Sequence, residues 1–277
     1  MIQKILLKEL DLNDEFFDSL KQDYYNFSNW FKKYQDNNAY GYVSYNNNKL
    51  SSLLILKIEE ETNDLKYPIS NKRRLKISTF KVNNTKTGIG EEYLNIIYDY
   101  ARRNEIDEIY VTIFPKQKEL IDKLTKHGFI LKNYKQTKTK ENKTEEENVY
   151  FKEMGKILLS IKPIYVNQIL KGTKKYEYRK IKPKRNDIGK LVIYSTSPIK
   201  KVVAEVNILE YLYEDKNLLW NKTKKESGIN EEFYNKYYLN ISKSFCFKLG
   251  KINEYNKPKQ LNDFSIKTAP QSYIYLK

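Results

Sequence analysis

The sequence predicts an α+β fold in two domains, a mixed α/β domain followed by a small β-barrel with helices. Its 277 residues suffice for two domains of ordinary size. Short runs of alternating apolar residues, typical of strands, occur along the whole chain, whereas helical spacing is most extensive in the first half. The charge is uneven: Met1–Gly155 carries 26 Lys and Arg against 24 Asp and Glu (net +2), and Lys156–Lys277 carries 25 against 11 (net +14).

The first half predicts strands and helices in mixed order. Strands are expected at Ile2–Leu10, Ala39–Tyr45, Leu50–Glu59, Leu75–Val82, Ile109–Phe114, Phe129–Leu131 and Val149–Phe151. Helices are expected at Glu15–Asp23, Asn26–Tyr34, Gly88–Asn104 and Lys118–Lys126. The polar run Tyr134–Asn148 is interpreted as a hairpin loop that closes the first domain, so the predicted domains are residues 1–154 and 156–277.

The second half predicts many strands and few helices. Its expected strands are Ile157–Ile161, Leu191–Ser195, Val202–Tyr211, Ser244–Leu249 and Ser272–Leu276, and one more strand follows a turn at Gly172. Its expected helices are Pro163–Lys171, Leu218–Lys225 and Asn230–Tyr237. This composition suits a small β-barrel decorated by helices.

Composition argues against several classes of protein. No run of about 18 apolar residues occurs, so we expect no membrane partner, and the N-terminus has acidic residues too early for a secretory signal. We therefore expect a cytoplasmic protein. The single cysteine, Cys246, is interpreted as a buried strand residue, and without a Cys cluster no metal is expected. The single histidine, His127, excludes a mechanism that needs two histidines.

A turn with two glycines, Thr87-Gly88-Ile89-Gly90, separates a strand from a long helix. Glycines let the backbone approach a ligand, and a helix N-terminus offers unpaired N–H groups to a phosphate. This order, followed by strand, helix and His127-Gly128-Phe129, resembles the GNAT superfamily of N-acetyltransferases over about Met1–Met154. The resemblance implies that acetyl-CoA binds as a substrate and is held by Val82, Thr87, Gly88, Ile89 and Gly90.

The GNAT-like resemblance leaves activity open. Thr85 stands where the family has Gln or Arg, and Pro115 and Leu124 stand near the family's Asn and Tyr. One hypothesis is transfer of an acetyl group to an amine of RNA, aminoacyl-tRNA or a ribosome-associated protein. The alternative is a non-catalytic regulatory protein that binds RNA. Glu59–Glu61 is a candidate base acting through water, or a solvated acidic turn.

A second motif, Gly172-Thr173-Lys174-Lys175-Tyr176-Glu177-Tyr178-Arg179, follows the Pro163–Lys171 helix. Gly172 is expected to end that helix, and strand alternation would then place Lys175, Glu177 and Arg179 on one face. Lys174 is expected to bend back towards Glu177. A carboxylate that lies between cations stays ionised and orients them.

The pattern G-x-K-x-x-E-x-R resembles the signature of ASCH domains, and the similarity extends over about Lys156–Lys277. It implies a PUA-like fold related to RNA-binding modules. Some relatives are hydrolases, and the resemblance implies Lys174 as a catalytic residue. Glu177, the other catalytic candidate, stands where the amidohydrolases have Thr, and Glu205 is a candidate for their distant Glu. A Lys174-centred amidohydrolase or ribonuclease is therefore a third hypothesis.

The basic second half is expected to bind RNA or another nucleic acid. The candidate contacts are Lys174, Lys175, Tyr176, Arg179, Lys184 and Arg185. Tyr176, Tyr178 and Tyr194 either stack on bases or pack in the core.

Overall fold

The computed structural model describes residues 1–62, 64–83, 88–139 and 143–276. Contacts divide the chain into two compact units. Unit 1 comprises Met1–Ile97 and Glu108–Glu153, and unit 2 comprises Tyr98–Asp107 and Met154–Lys277. The assignment of domains to residues 1–154 and 156–277 stays a prediction. No helix among the described residues is long and apolar enough to cross a membrane.

Unit 1 is built on a seven-stranded sheet. Its strands are β1 Gln3–Leu6, β2 Tyr40–Asn46, β3 Lys49–Glu59, β4 Arg74–Val82, β5 Glu108–Ile113, β6 Ile130–Lys138 and β7 Thr144–Glu153. Its helices are α1 Asp18–Asp23, α2 Phe27–Asp36, α3 Ile89–Arg103, whose last turns group with unit 2, and α4 Lys118–Lys126. The spatial order is β1-β2-β3-β4-β5-β7-β6, in which β4 and β5 are parallel and the other neighbours are antiparallel.

The polar run near residue 140 departs from its prediction as a loop. Much of it is strand, because β6 continues to Lys138 and β7 begins at Thr144. Cross-strand neighbours on these arms include Lys135 opposite Glu147 and Thr137 opposite Glu145. Such polar pairs stabilise a hairpin without an apolar alternation, which is why periodicity alone missed it.

Unit 2 is built on a six-stranded sheet. Its elements are β8 Gly155–Ile161, α5 Pro163–Leu170, β9 Tyr176–Arg179, β10 Ile188–Ser195, β11 Lys201–Asp215, α6 Lys216–Thr223, α7 Glu231–Tyr237, β12 Lys243–Lys259 and β13 Tyr273–Leu276. The spatial order is β13-β8-β10-β11-β12-β9. Its largest core cluster contains Ile157, Leu159, Leu191, Ile193, Phe245 and Phe247.

The predicted β-barrel is not confirmed, because the described strands of unit 2 form an open sheet with β13 and β9 at its edges. Closure would require β9 to pair with another edge strand. β8 is not available for it, because β13 pairs with β8 over Lys156–Leu159 and β10 occupies its other side. A side chain reaches across instead, since the Arg179 guanidinium donates to the Ser160 carbonyl oxygen at 3.0 Å.

Unit 1 contains a buried ion pair between β4 and β5. The Arg74 guanidinium donates to the Glu108 carboxylate, and both side chains are almost completely buried. Lys72 lies 3.1 Å from the other oxygen of Glu108. Removing one member of such a pair leaves a buried charge with incomplete compensation.

We predict that Arg74→Ala lowers the free energy of unfolding by about 3 kcal/mol, because Glu108 then keeps only the ion pair with Lys72. Urea unfolding followed by circular dichroism measures the change. Lys49→Ala is the matched control, since its pair with Glu15 is exposed and its loss should have no measurable effect. Equal midpoints for the two variants would contradict the assigned role of Arg74.

Candidate functional site

The first candidate site is a cavity of about 590 Å³ in unit 1. β4 pairs with β5 only over Leu75–Ile77. In the pairing of β4 with β3, Ile77 and Thr79 lie opposite two consecutive residues of β3. Ser78, between them, has no partner on β3 and forms a bulge. A bulge bends its strand, and pairing with β5 stops at this residue. The cavity lies where the two strands part, lined among others by Ser78, Thr79, Phe80, Val111 and Thr112.

A buried carboxylate lines this cavity. Glu147, on β7, is 2% exposed. It accepts hydrogen bonds from the Tyr24 hydroxyl at 3.1 Å and the Thr137 hydroxyl at 2.6 Å. No cation lies within ion-pair distance of Glu147 among the residues that the structure describes. Burial, followed by the charge of Glu147, raises the pKa of Tyr24 well above its ordinary value, so this hydroxyl stays a donor.

A second polar cluster in the cavity is centred on Glu59. The Lys57 ammonium lies 2.9 Å from the Glu59 carboxylate, and the Tyr110 hydroxyl donates to it. Burial would raise the pKa of Glu59, but these hydrogen bonds and the charge of Lys76 together lower it. Burial, assisted by other cations, lowers the pKa of Lys76. Of the acidic run Glu59–Glu61, Glu59 faces the cavity, whereas Glu60 is exposed and pairs with Arg73.

The turn with two glycines that is predicted to bind a phosphate of acetyl-CoA lies between β4 and α3. Val82 ends β4, Ile89 begins α3, and Thr87 falls outside the described residues. Gly88 has a φ of 75°, which favours glycine, and apart from its chain neighbours no described residue has an atom within 4 Å of an added Cβ there. At Gly90 an added Cβ would lie 2.9 Å from Lys123 Cε. The Glu91 carboxylate in the first turn is paired with Lys123 and His127, which offsets its charge near the helix N-terminus.

The second candidate site begins where α5 ends. Gly172 has a φ of 72°, and its N–H donates to the Ile169 carbonyl oxygen at 2.8 Å. This left-handed glycine terminates the helix and turns the chain towards β9. Gly228, with a φ of 68°, lies against the same turn, because an added Cβ there would lie 2.6 Å from Gln168 Oε1 and 2.9 Å from Lys174 Cβ.

Lys174 is buried at this turn, with 3% of its side chain exposed. Its Nζ donates to the Ser227 carbonyl oxygen at 2.7 Å and lies 3.7 Å from Glu177 Oε2. The rings of Tyr165 and Tyr178 lie 5.6 and 5.1 Å from Nζ. Burial lowers the pKa of Lys174, and the neighbouring Glu177 carboxylate opposes this shift only in part. The amine therefore loses its proton more readily than that of an exposed lysine.

Glu177 joins the cations of the motif. Its Oε1 lies 2.9 Å from Arg179 Nη2, and its side chain is almost completely buried. Two buried polar atoms nearby, Arg179 Nε and Gln168 Oε1, have no hydrogen-bond partner in the described part of the chain. Buried polar atoms are normally satisfied, so this donor and this acceptor are candidates for contact with a ligand.

A comparison with protein families identifies part of unit 2. The family model described as ASCH domain matches residues 159–253. This region of the chain is an ASCH domain. The resemblance expected from Gly172–Arg179 is thereby confirmed.

Curated relatives match parts of the chain. The ASCH domain-containing ribonuclease of Zymomonas mobilis is 27% identical over 92 residues, which is 33% of this chain and 62% of the relative. An ATP synthase subunit alpha of Ureaplasma parvum is 30% identical over 122 residues, 44% of this chain and 15% of the relative. The large ribosomal subunit protein uL22 of the same species is 30% identical over 92 residues, 33% of this chain and 30% of the relative. The chain thus spans less than two thirds of each of these relatives.

Solved structures of both expected families align with the chain. The ASCH protein of Zymomonas mobilis covers 44% of this chain and 87% of its own, with 24% identity and a TM-score of 0.41. A GNAT-family acetyltransferase of Streptococcus pneumoniae covers 55% and 98%, with 13% identity and a TM-score of 0.40. Arabidopsis thaliana Naa50, in complex with the bisubstrate analogue CoA-Ac-MVNAL, covers 55% and 98%, with 17% identity and a TM-score of 0.37.

Within the ASCH domain, the structure brings together only part of the predicted site. Lys174, Glu177 and Arg179 meet, whereas the half-exposed Lys175 pairs with Glu226 at 2.5 Å, just before β9 begins at Tyr176. The expectation that Lys175 shares a face with Glu177 stays a prediction.

The other predicted contacts of the ASCH domain lie apart from the Lys174–Glu177–Arg179 cluster. The Arg185 guanidinium is held by both oxygens of Asp187. The exposed Lys184 uses its backbone N–H to contact the Tyr275 hydroxyl. Glu205 accepts from Lys156 and Tyr255, and these bonds lower its pKa although burial alone would raise it.

The tyrosines of the ASCH domain belong mainly to its core. Tyr178 and Tyr194 are 6% and 8% exposed, and Tyr176 packs against the same cluster as Tyr178. Cys246 lies buried in β12, and burial raises the pKa of its thiol. The interpretation of these tyrosines as core residues thus fits the structure better than base stacking. No group of His, Cys, Asp and Glu suited to a metal occurs among the described residues.

Proposed function

We propose that the chain is an acetyl-CoA-dependent N-acetyltransferase coupled to an ASCH domain that binds RNA or another nucleic acid, and that it acts on an RNA-associated amine. The observation that carries the transferase part is the cavity at the Ser78 bulge, between two parallel strands that part. The net charge of +14 in the second half supports the nucleic-acid part, because cations attract phosphates without sequence preference.

The residues of the cavity fit the extended arm of acetyl-CoA. Beyond Ile77, the edge of β4 is not paired with β5, so its backbone groups are free to bond the amides of an extended ligand as a strand would. The buried Ser78 hydroxyl has no hydrogen-bond partner in the described chain. The same strand leads to Gly88 and the start of α3, where N–H groups favour a phosphate. When bound, acetyl-CoA supplies an activated thioester.

Glu147 is suited to receive the acceptor amine. An amine arrives at neutral pH as an ammonium. Among the described residues, the buried Glu147 carboxylate is held by two hydroxyls and no cation, so it offers the ammonium an opposite charge. The carboxylate can also take the proton of the ammonium. The neutral nitrogen that results attacks the thioester carbonyl carbon, a C–N bond forms, and the C–S bond breaks. The CoA thiolate leaves and takes up the second proton that the nitrogen gives up, so that the products are an amide and the CoA thiol.

We predict that the full chain binds acetyl-CoA and that Ser78→Phe abolishes binding by filling the space between β4 and β5. Isothermal titration calorimetry with acetyl-CoA measures the affinity. Ser78→Ala is the control, because it removes the hydroxyl but keeps the space, and it should bind within about tenfold of the wild type. Absence of binding to the wild type at millimolar acetyl-CoA would end the transferase proposal.

We predict that Glu147→Gln lowers kcat/KM by about 30-fold or more and leaves acetyl-CoA affinity unchanged, because the isosteric amide keeps the two hydroxyl contacts but loses the charge. Release of the CoA thiol with a panel of primary amines measures the rate. Glu60→Gln, at an exposed position, is the control and should be as active as the wild type. Equal rates for both variants would exclude Glu147 as the amine-binding residue.

The buried Lys174 favours a second candidate function, hydrolysis at the ASCH domain. A lysine whose pKa is lowered by burial can act as a general base, and Glu177 and Arg179 would orient a substrate beside it. The ASCH domain-containing ribonuclease of Zymomonas mobilis, 27% identical over 92 residues, supports this candidate.

If this second function exists, we predict that activity rises with pH through the lowered pKa of Lys174, since only the neutral amine accepts a proton. Lys174→Met should lose activity by about 100-fold or more. The substrates to test are single-stranded RNA and acetylated cytidine. Lys175→Met is the matched control, because Lys175 is half exposed and pairs with Glu226. Full activity of Lys174→Met would rule out a Lys174-centred hydrolase.

A further inference from the structure

Helix α7 in unit 2 carries aromatic residues on two faces. Tyr234, and Tyr238 just after the helix, are completely buried in the core. Phe233 and Tyr237 lie on another face, four residues apart. Their rings are nearly parallel, with an angle of 10° and 6.3 Å between centroids, and Phe233 is 41% exposed. Tyr237 packs partly against the same core cluster, but that cluster does not account for the exposed Phe233.

A third ring from α5 extends this pair. The Tyr165 centroid lies 6.1 Å from that of Phe233, and we call Tyr165, Phe233 and Tyr237 the aromatic row. A cation stands at each end, since Lys174 Nζ lies 5.6 Å from the Tyr165 ring and Lys180 Nζ lies 5.3 Å from the Tyr237 ring. The aromatic row therefore extends from the exposed Lys180, along α7, to Lys174 of the Lys174–Glu177–Arg179 cluster.

The row also lies close to the charged members of the motif. Lys174 lies beside the Tyr165 ring, and the hydroxyl of Tyr238, the residue after Tyr237, donates to the Arg179 carbonyl oxygen at 3.1 Å. The charge of Arg179 also opposes the rise that burial causes in the pKa of the Tyr237 hydroxyl. Aromatic faces with cations at intervals are the features by which proteins hold unpaired bases and the phosphates between them.

We propose that the aromatic row is a stacking platform for the bases of a single-stranded nucleic acid, with Lys180 receiving a phosphate and Arg179 contacting a base edge or phosphate next to the row. This inference rests on the nucleic-acid-binding part of the proposed function. Duplexes are disfavoured, because their base faces are covered by neighbouring base pairs. The alternative is that the Phe233–Tyr237 pair only stabilises a short helix.

The platform is tested by titrating the full chain with fluorescein-labelled oligouridine and oligoadenosine of 12 nucleotides at several salt concentrations. Phe233→Ala and Phe233→Leu should each weaken binding about tenfold at every salt concentration, because stacking is lost and no charge is removed. Lys180→Gln should instead reduce the slope of log affinity against log salt by about one. Leu239→Ala is the matched control, since Leu239 is 65% exposed and outside the row, and it should bind as the wild type.

An abasic oligonucleotide of the same length separates stacking from charge. The wild type should bind it about tenfold more weakly than oligouridine, and Phe233→Ala should bind it as the wild type does. If the wild type binds no oligonucleotide, the nucleic-acid part of the proposed function fails. If it binds, and both Phe233 variants bind oligouridine equally well, only the platform is overturned. If Phe233→Ala weakens binding of the abasic strand as much as it weakens binding of oligouridine, the platform is also overturned. Thermal melting verifies that the variants fold, and Phe233→Leu retains most of the apolar volume.

Discussion

Burying a carboxylate costs free energy unless cations or hydrogen-bond donors reach its oxygens, and both units are organised around this constraint. In unit 1, Glu108 is held by Arg74 and Lys72. In unit 2, Glu177 is held by Arg179 and Lys174, and in turn it fixes the positions of both cations. Glu147 differs from these two because only neutral hydroxyls contact it in the described structure. Hydrogen bonds from these hydroxyls lower the free-energy cost of burying the Glu147 carboxylate. They leave its charge without a cation in the described structure.

A second feature that shapes unit 1 is the backbone bulge at Ser78. One extra residue in β4 relative to β3 bends the strand, and the parallel pairing with β5 ends there. The resulting space exposes strand edge and places Ser78 beside the cavity that Glu59 and Glu147 also line. The local irregularity thereby brings together residues from strands that are distant in sequence.

Unit 2 uses its aromatic residues in two ways. Tyr178, Tyr234 and Trp220 pack against one another around the buried Cys246, and they hold α6 and α7 against β12. The aromatic row lies at the margin of this cluster, against which Tyr237 packs in part, and its other end, Tyr165, lies next to Lys174. β9 is an edge strand that carries Glu177 and Arg179, and Lys174, just before it, lies beside the Tyr165 end of the row. The open sheet is thus compatible with a ligand site where a closed barrel was expected.

Local signals in the sequence determined much of the secondary structure and one of the two sites. Apolar spacing set the bounds of α4, and the left-handed glycine at Gly172 set the end of α5, because both depend on residues within one or two helical turns. The approach of Lys174 to Glu177 was predictable for the same reason. The ASCH motif identified the region that the family model matches.

Only the tertiary structure decided which distant residues meet. The bulge at Ser78 depends on the register between β3 and β4, and Glu147 reaches the cavity through the pairing of β6 with β7. Gly228 approaches Gln168 and Lys174 from a segment that is distant in the chain. The pattern of α7 did not reveal which of its aromatic faces is buried, because that depends on what α5 and β12 cover. Composition and periodicity report on a residue's own strand or helix, whereas register, bulges and packing are set by cross-chain contacts that a single sequence does not display.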